Sequence, residues 1–286
     1  MAQTNRIPDA TAEKHARAKK LIDAALDSLA AALERGKSEA LLSYLGTMAR
    51  FHHYSFGNVL LIASARPDAT RVAGYRTWQQ LGRQVKQGEK GILIFAPMLL
   101  KKRADEAPRQ PTNAEESERV LRFRVVYVFD VSQTEGEPLP EHARVNGDPA
   151  GYTLRLKDFA AQSGIAIEYS EHSSADGSSR GGQVVLRQGL SPAEEFTTLV
   201  HELAHEFLHH GEGAIRGPKT VHETQAEAVA FVVSQAIGLD TNTASSDYIQ
   251  LYAGDKDTLS QSLDRIQHAA SKILAAITDE PQGSDD

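Results

Sequence analysis

Cysteine is absent from the 286 residues, which excludes disulfides, thiolate metal sites and a cysteine nucleophile. No apolar run approaches the roughly 18 residues of a membrane span. The opening stretch "MAQTNRIPDATAEKHARAKK" has no apolar core of the kind a secretory signal needs. These absences point to a cytoplasmic protein with no membrane partner. Aromatic residues are scarce at 6%, with one tryptophan, Trp78, so any stretch that gathers them stands out. Negative charge is thin in one half only. Residues 1–130 hold 21 Lys+Arg against 14 Asp+Glu, and residues 131–286 hold 10 against 24. Two modules with different partners would produce this division, and so would plain surface solvation. With 41% hydrophobic and 24% charged residues, the chain is globular in composition and long enough for two domains.

The hydrophobic spacing predicts an α+β protein. Leu21, Ile22, Ala25, Leu26, Leu29 and Leu33 recur at helical intervals over 10–34, with Gly36 as a stop. A second helix starts near Ser38, and "SFGNVLLIASARP" continues or restarts it before Pro67. "KGILIFAPML" (90–99) and "VLRFRVVYVFDV" (120–131) read as strands, joined by a polar, aperiodic loop at 101–118. Residues 136–150 are poor in large apolar side chains and rich in Pro and Gly, which suits a linker. Beyond it come a helix in "YTLRLKDFAAQSG" and strands in "IAIEYSE" and "GGQVVLRQ", with "SSADGSSRGG" as a loop between the strands. Helices follow at about 192–210, 221–237 and 257–277. The expected division is a domain at 1–135, the linker, and a second domain at 151–286.

The helix after Ser191 carries "HELAH", His201 to His205. Positions i and i+4 share a helix face, so both imidazoles can meet one ion. Apolar Phe196, Leu199, Val200, Leu203 and Phe207 fill the other directions. The helix should therefore be buried, and buried imidazoles need partners. Zn²⁺ supplies one, with Glu202 beside it as the general base that takes a proton from the activated water. His209 and His210 are read as bystanders, structural or solvent-facing, although His209 lies two turns beyond His201 and could line the cleft. The next helix brings Glu223 and Glu227, one turn apart. The pair resembles that of the glutamate zincins, such as thermolysin. The resemblance implies that Glu223 is the third ligand and Glu227 supports a ligand histidine from outside; the reverse stays open. Tyr248 and Tyr252 are candidates to stabilise an oxyanion, with Tyr248 taken first.

Between 71 and 103 there are eight basic residues and one acidic residue, Glu89, interleaved with Tyr75 and Trp78. Cations that follow a backbone and aromatics that stack on bases suit single-stranded nucleic acid. The plain alternative is a solvated face with Trp78 in the core. "FHHYSFGNVLLI", "GYRTWQQLGRQVKQGEKGILIFAP" and "VYVFDVSQTEGEPLP" together resemble the N-terminal domain of ArdC-type antirestriction proteins. The second half resembles ArdC and ImmA/IrrE-like metallopeptidases, and the likeness runs over about residues 10–275. It implies a plasmid- or phage-type accessory protein that binds single-stranded DNA and carries a zinc peptidase domain acting on a protein substrate. By position in the matching block, the resemblance makes Tyr75, Arg76, Trp78, Lys86 and Lys90 candidate DNA contacts, joined by the nearby cations Arg71 and Arg83; Trp78 as an anchor of the fold stays open. A DNA-binding protein with a non-catalytic zinc site, or an ImmA-like peptidase that cleaves a repressor, remains the alternative.

Overall fold

The computed structural model describes residues 10–36, 38–101, 119–139, 149–173, 175–210, 214, 217–239 and 255–278. Three helices open the chain: α1 (Ala10–Glu34), α2 (Ser38–Arg50) and α3 (Phe56–Ala65). Gly36 adopts φ 71° directly after α1, a conformation that ends a helix at little steric cost only for glycine. Strands β1 (Val72–Gly74), β3 (Ile92–Lys101) and β4 (Arg119–Asp130) form an antiparallel sheet with β4 in the centre. A helical turn, α4 (Tyr75–Gln80), leads from β1 to a two-stranded ribbon of β2 (Arg83–Val85) and β5 (Thr134–Gly136). Asn58 on α3 covers the free edge of β3. Its amide donates to the carbonyl of Phe95 at 2.8 Å and accepts from the Phe95 N–H at 2.8 Å, so a buried edge is left with satisfied polar groups.

Asp130 ties this region together. Its buried carboxylate accepts from the N–H groups of Thr70, Arg71 and Ser132 and from the Ser132 hydroxyl, at 2.6–3.1 Å. Burial works to raise its pKa, but the hydrogen bonds from Ser132, Thr70 and Arg71 hold it below the usual carboxylate value. Three residues on, the Gln133 amide donates to Glu89 and to the Lys90 carbonyl. In this way the end of β4 sets the path of the basic segment.

The rest of the chain is α5 (Ala150–Gln162), β6 (Ala166–Ser170), β7 (Gly177–Ser179), β8 (Gln183–Arg187), α6 (Pro192–His209), α7 (Lys219–Ala236) and α8 (Lys256–Thr278). Strand β8 lies between β6, which runs parallel to it, and β7, which runs antiparallel. The architecture is α+β, as the spacing predicts. One expectation changes: "SSADGSSRGG" is not all loop, since it contains β7. One buried cluster holds residues from Leu26 to Ile277. Helix α7 packs on α6, α8 and α2. On α8, the amide of Gln267 donates to the carbonyls of His52 and Tyr54 at 3.0 and 3.2 Å, and Lys256 pairs with Asp27 of α1 at 2.6 Å. No described helix is long and apolar enough to cross a membrane.

Replacing Asp130 by Ala removes hydrogen bonds that part-buried N–H groups make to a charged acceptor, each worth about 1.5–3 kcal/mol. Urea unfolding of Asp130→Ala should show a loss of at least about 2 kcal/mol. A midpoint equal to wild type would show that the carboxylate is not the tie described here.

Candidate metal centre

Helix α6 begins as its sequence dictates. Ser191 is the N-cap, its side chain accepting from the Glu194 N–H, while the Glu194 carboxylate accepts from Ser191, and Pro192 occupies the first turn. Phe196, Leu199, Val200, Leu203 and Ala204 are fully buried. Their stripe sets the rotation of the helix and turns His201, His205 and Glu202 toward α7 and β7.

Packing of α7 against α6 brings Glu223 to the two histidines. His201 Nε2 and His205 Nε2 are 3.1 Å apart, and Glu223 Oε2 lies 3.4 and 3.5 Å from them. A tetrahedral ion with bonds of about 2.0–2.1 Å holds its ligand atoms roughly 3.3–3.4 Å from one another. The three atoms therefore match one face of such a tetrahedron. These are also the three residues grouped by the approach of their ligand atoms. Burial lowers the pKa of both histidines, so at neutral pH they present lone pairs, as ligands must. The donor set fits a divalent cation. Glu227 sits one turn further along α7, and its charge raises the His201 pKa slightly against the effect of burial.

Glu202 is 7% exposed. Burial, followed by the charges of Glu223 and Glu206, pushes its carboxyl up to about 7, the range expected of a general base at neutral pH. Strand β7 lies directly against it. A Cβ placed on Gly177 would fall 2.6 Å from Glu202 Oε1 and from Thr198 Cγ2, so only glycine allows this close approach. Glu206 anchors the same segment by accepting from Ser179 Oγ at 2.6 Å and from the N–H groups of Gly181 and Gly182 at 2.9 and 2.7 Å. Tyr248 and Tyr252 lie outside the described residues.

The basic segment divides. Tyr75 is 43% exposed, and Arg76, Lys86 and Lys90 are exposed. Tyr75, Lys86 and Phe129 line an open hollow of ≈ 500 Å³. Arg71 is half-buried, and its backbone N–H is held by Asp130. Two of the expected contacts have partners within the fold. Trp78 is fully buried and its indole N–H donates to the Phe129 carbonyl at 2.9 Å, so it anchors the sheet and offers no face to a base. Arg83 binds Thr134 through its hydroxyl and carbonyl and also reaches the carbonyls of Gly136 and Glu137. Its guanidinium holds the β2–β5 ribbon together.

Residues 14–129 match the family model described as the N-terminal domain of anti-restriction factor ArdC. The antirestriction ArdC protein of plasmid R388 superposes with a TM-score of 0.53 and 19% identity. Its metal-free structure covers 92% of this chain and 99% of its own, and its Mn(II)-bound structure 91% and 99%. The chain has the ArdC fold. An uncharacterized Bacillus anthracis protein, pXO2-81, is 24% identical over 288 residues, 84% of this chain and 48% of its own. The chain thus spans about half the length of the curated relative it matches. At 92% coverage, the likeness to the R388 protein extends well past residue 129.

Sequence reading missed three polar residues around this centre. His209 Nδ1 stands 3.0 Å from His205 Nδ1, and its Nε2 is 2.9 Å from Gln225 Oε1. Gln225 Nε2 in turn donates to Ser262 Oγ at 2.9 Å. His209 is not the bystander expected of it. Its place one turn after His205 on the same helix was the available signal. Gln225 and Ser262 gave none, because only the packing of α7 and α8 brings them near.

Two measurements bear on the centre. Elemental analysis should find near-stoichiometric divalent metal in the wild type and little in His201→Ala; equal loading would rule out this donor set. The second concerns pH. Burial, above all, holds His209 at about 4 against an ordinary 6.5. Above 6.5 it is neutral whether folded or unfolded. As pH falls from 6.5 toward 4, the unfolded chain takes up a proton that the folded chain refuses, and stability declines. The thermal midpoint of the metal-free protein should drop more steeply over that window than that of His209→Gln, and parallel curves would contradict the assignment.

Proposed function

We propose that this chain is an ArdC-like antirestriction protein that binds single-stranded DNA through its first half and hydrolyses peptide bonds at the His201–His205–Glu223 centre, loaded with Zn²⁺. The substrate is a protein met on the DNA, or the chain itself. One observation carries the enzymatic part of this reading. Three donor atoms stand 3.1–3.5 Å apart, with the buried carboxyl of Glu202 on the helix that carries both histidines. Two imidazoles and one carboxylate suit the borderline character of Zn²⁺, although the R388 relative has been crystallised with Mn(II). Bound there, the ion supplies a Lewis acid that activates water and polarises the scissile carbonyl.

The protein's own side chains do the rest. His201, His205 and Glu223 would hold the ion. Glu202 is set one residue after a ligand, pressed against β7, and its proton affinity near neutrality lets it accept a proton and later return it to the leaving amine. Gly177 keeps the backbone close to that carboxylate, so the proton acceptor has little room to wander.

For DNA, support comes from the exposed part of the matched block. Tyr75 offers a ring at the hollow that Lys86 and Phe129 share, and Arg76 and Lys90 add exposed cations nearby. A ring for stacking among cations that follow phosphates is a sequence-tolerant way to hold a single strand.

Glu202→Gln should lower peptide hydrolysis by about 10²–10⁴-fold while leaving metal content unchanged; hydrolysis at the wild-type rate would remove Glu202 from the chemistry. Fluorescence anisotropy with an oligo-dT strand tests the DNA reading separately. Tyr75→Ala should weaken binding by roughly 5–100-fold, the value of one stacked base, and wild-type affinity should fall steeply with salt. No preference for single over double strands would sink it.

A further inference from the structure

We infer that His209 is a positioning residue for the metal centre: it accepts a hydrogen bond from His205 Nδ1–H and thereby presents the lone pair of His205 Nε2 to the ion. The inference rests on the metal reading above, and it follows from the direction of a hydrogen-bond chain. His205 faces His201 and Glu223 with Nε2. A neutral imidazole that ligates through Nε2 carries its proton on Nδ1. That proton needs an acceptor out of water, and the atom 3.0 Å away is His209 Nδ1. His209 can accept there only if its own proton is on Nε2.

The next link supplies that condition. His209 Nε2 lies 2.9 Å from the carbonyl oxygen of Gln225, which only accepts. Gln225 is 4% exposed, and its amide nitrogen donates to Ser262 Oγ at 2.9 Å, with its oxygen turned to His209. The His222 ring stacks on His209 at 4.0 Å with the planes 14° apart, so the His209 ring has little freedom to turn. With the Gln225 amide in this orientation, every link from Ser262 on α8 through Gln225 on α7 to His209 and His205 on α6 runs one way. A reversed chain would put a proton on His205 Nε2 and remove the ligand. Outer partners of this kind fix ligand orientation and basicity, and their loss typically weakens metal affinity about 10–100-fold.

The side chains allow a clean comparison. In His209→Asn, the amide oxygen can stand near the place of Nδ1 and accept; in His209→Leu, nothing accepts. Zn²⁺ affinity of the full chain, measured by competition with a chromophoric chelator, should fall about 10–100-fold in His209→Leu and recover most of that loss in His209→Asn. Nitrogen-15 NMR of the metal-free protein near pH 7.5 supplies a second readout. His205 should carry its proton on Nδ1 in the wild type and in His209→Asn, and shift toward Nε2 in His209→Leu. Should His209→Leu not fold, the wild-type spectrum and Gln225→Leu decide, the latter expected to weaken Zn²⁺ binding in the same direction. The inference is overturned if the metal-free wild type holds the proton on His205 Nε2, or if His209→Leu folds and binds Zn²⁺ as tightly as wild type. A wild type that binds no metal would defeat the metal reading instead, and the tautomer of His205 would still be read from the spectrum.

Discussion

Helix α6 presents a problem that the second half of the molecule is arranged to solve. It carries five fully buried apolar side chains, and the same burial takes Glu202 and Glu206 out of water and draws in three imidazoles. Polar groups so placed are stable only when each finds a partner. Glu206 finds the Ser179 hydroxyl and the N–H groups of Gly181 and Gly182, which ties a glycine-rich segment to the helix. His209 finds Gln225, which reaches α8 through Ser262. His201 and His205 find Glu223 and, in the proposed state, a cation. The centre is therefore a by-product of satisfying one helix from every side.

That arrangement explains why the two halves are not independent. Helix α7 must lie against α6 to deliver Glu223 and Gln225, and its other faces then meet α2 and α8. Helix α8 in turn caps backbone carbonyls just after α2, at His52 and Tyr54. A chain whose charge divides sharply near residue 130 thus has one continuous core. Charge is a property of the surface and says little about which elements pack together. The basic segment shows the same separation of surface from core: Tyr75 and Arg76 face outward, while Trp78, two residues on, is buried in the sheet.

Much of this was legible in the residues themselves. Periodicity places α1, α2, α5, α6, α7 and α8 within a few residues, because long amphipathic helices repeat their signal over several turns. Strands β3 and β4 are legible for a similar reason, being ten and twelve residues long. The capping box of α6 is legible because it is local. The pairing of His201 with His205 follows from helix geometry, and Glu223 from its likeness to a known zincin pattern. Short elements were not legible. Strand β7 is three residues, Gly-Ser-Ser, with no strand propensity, and it exists because β8 pairs with it and Glu202 leaves room only for a glycine.

Local spacing, then, was enough to specify the helices, their caps and the pair of histidines, since each depends on residues within one or two turns. Contacts between distant segments were decided by packing. The choice of Glu223 to complete the donor set, the direction of the chain through His209, and the union of both halves in one core all require elements far apart in sequence to meet. The free energy of those meetings belongs to burial of whole faces, which no short stretch of the sequence displays.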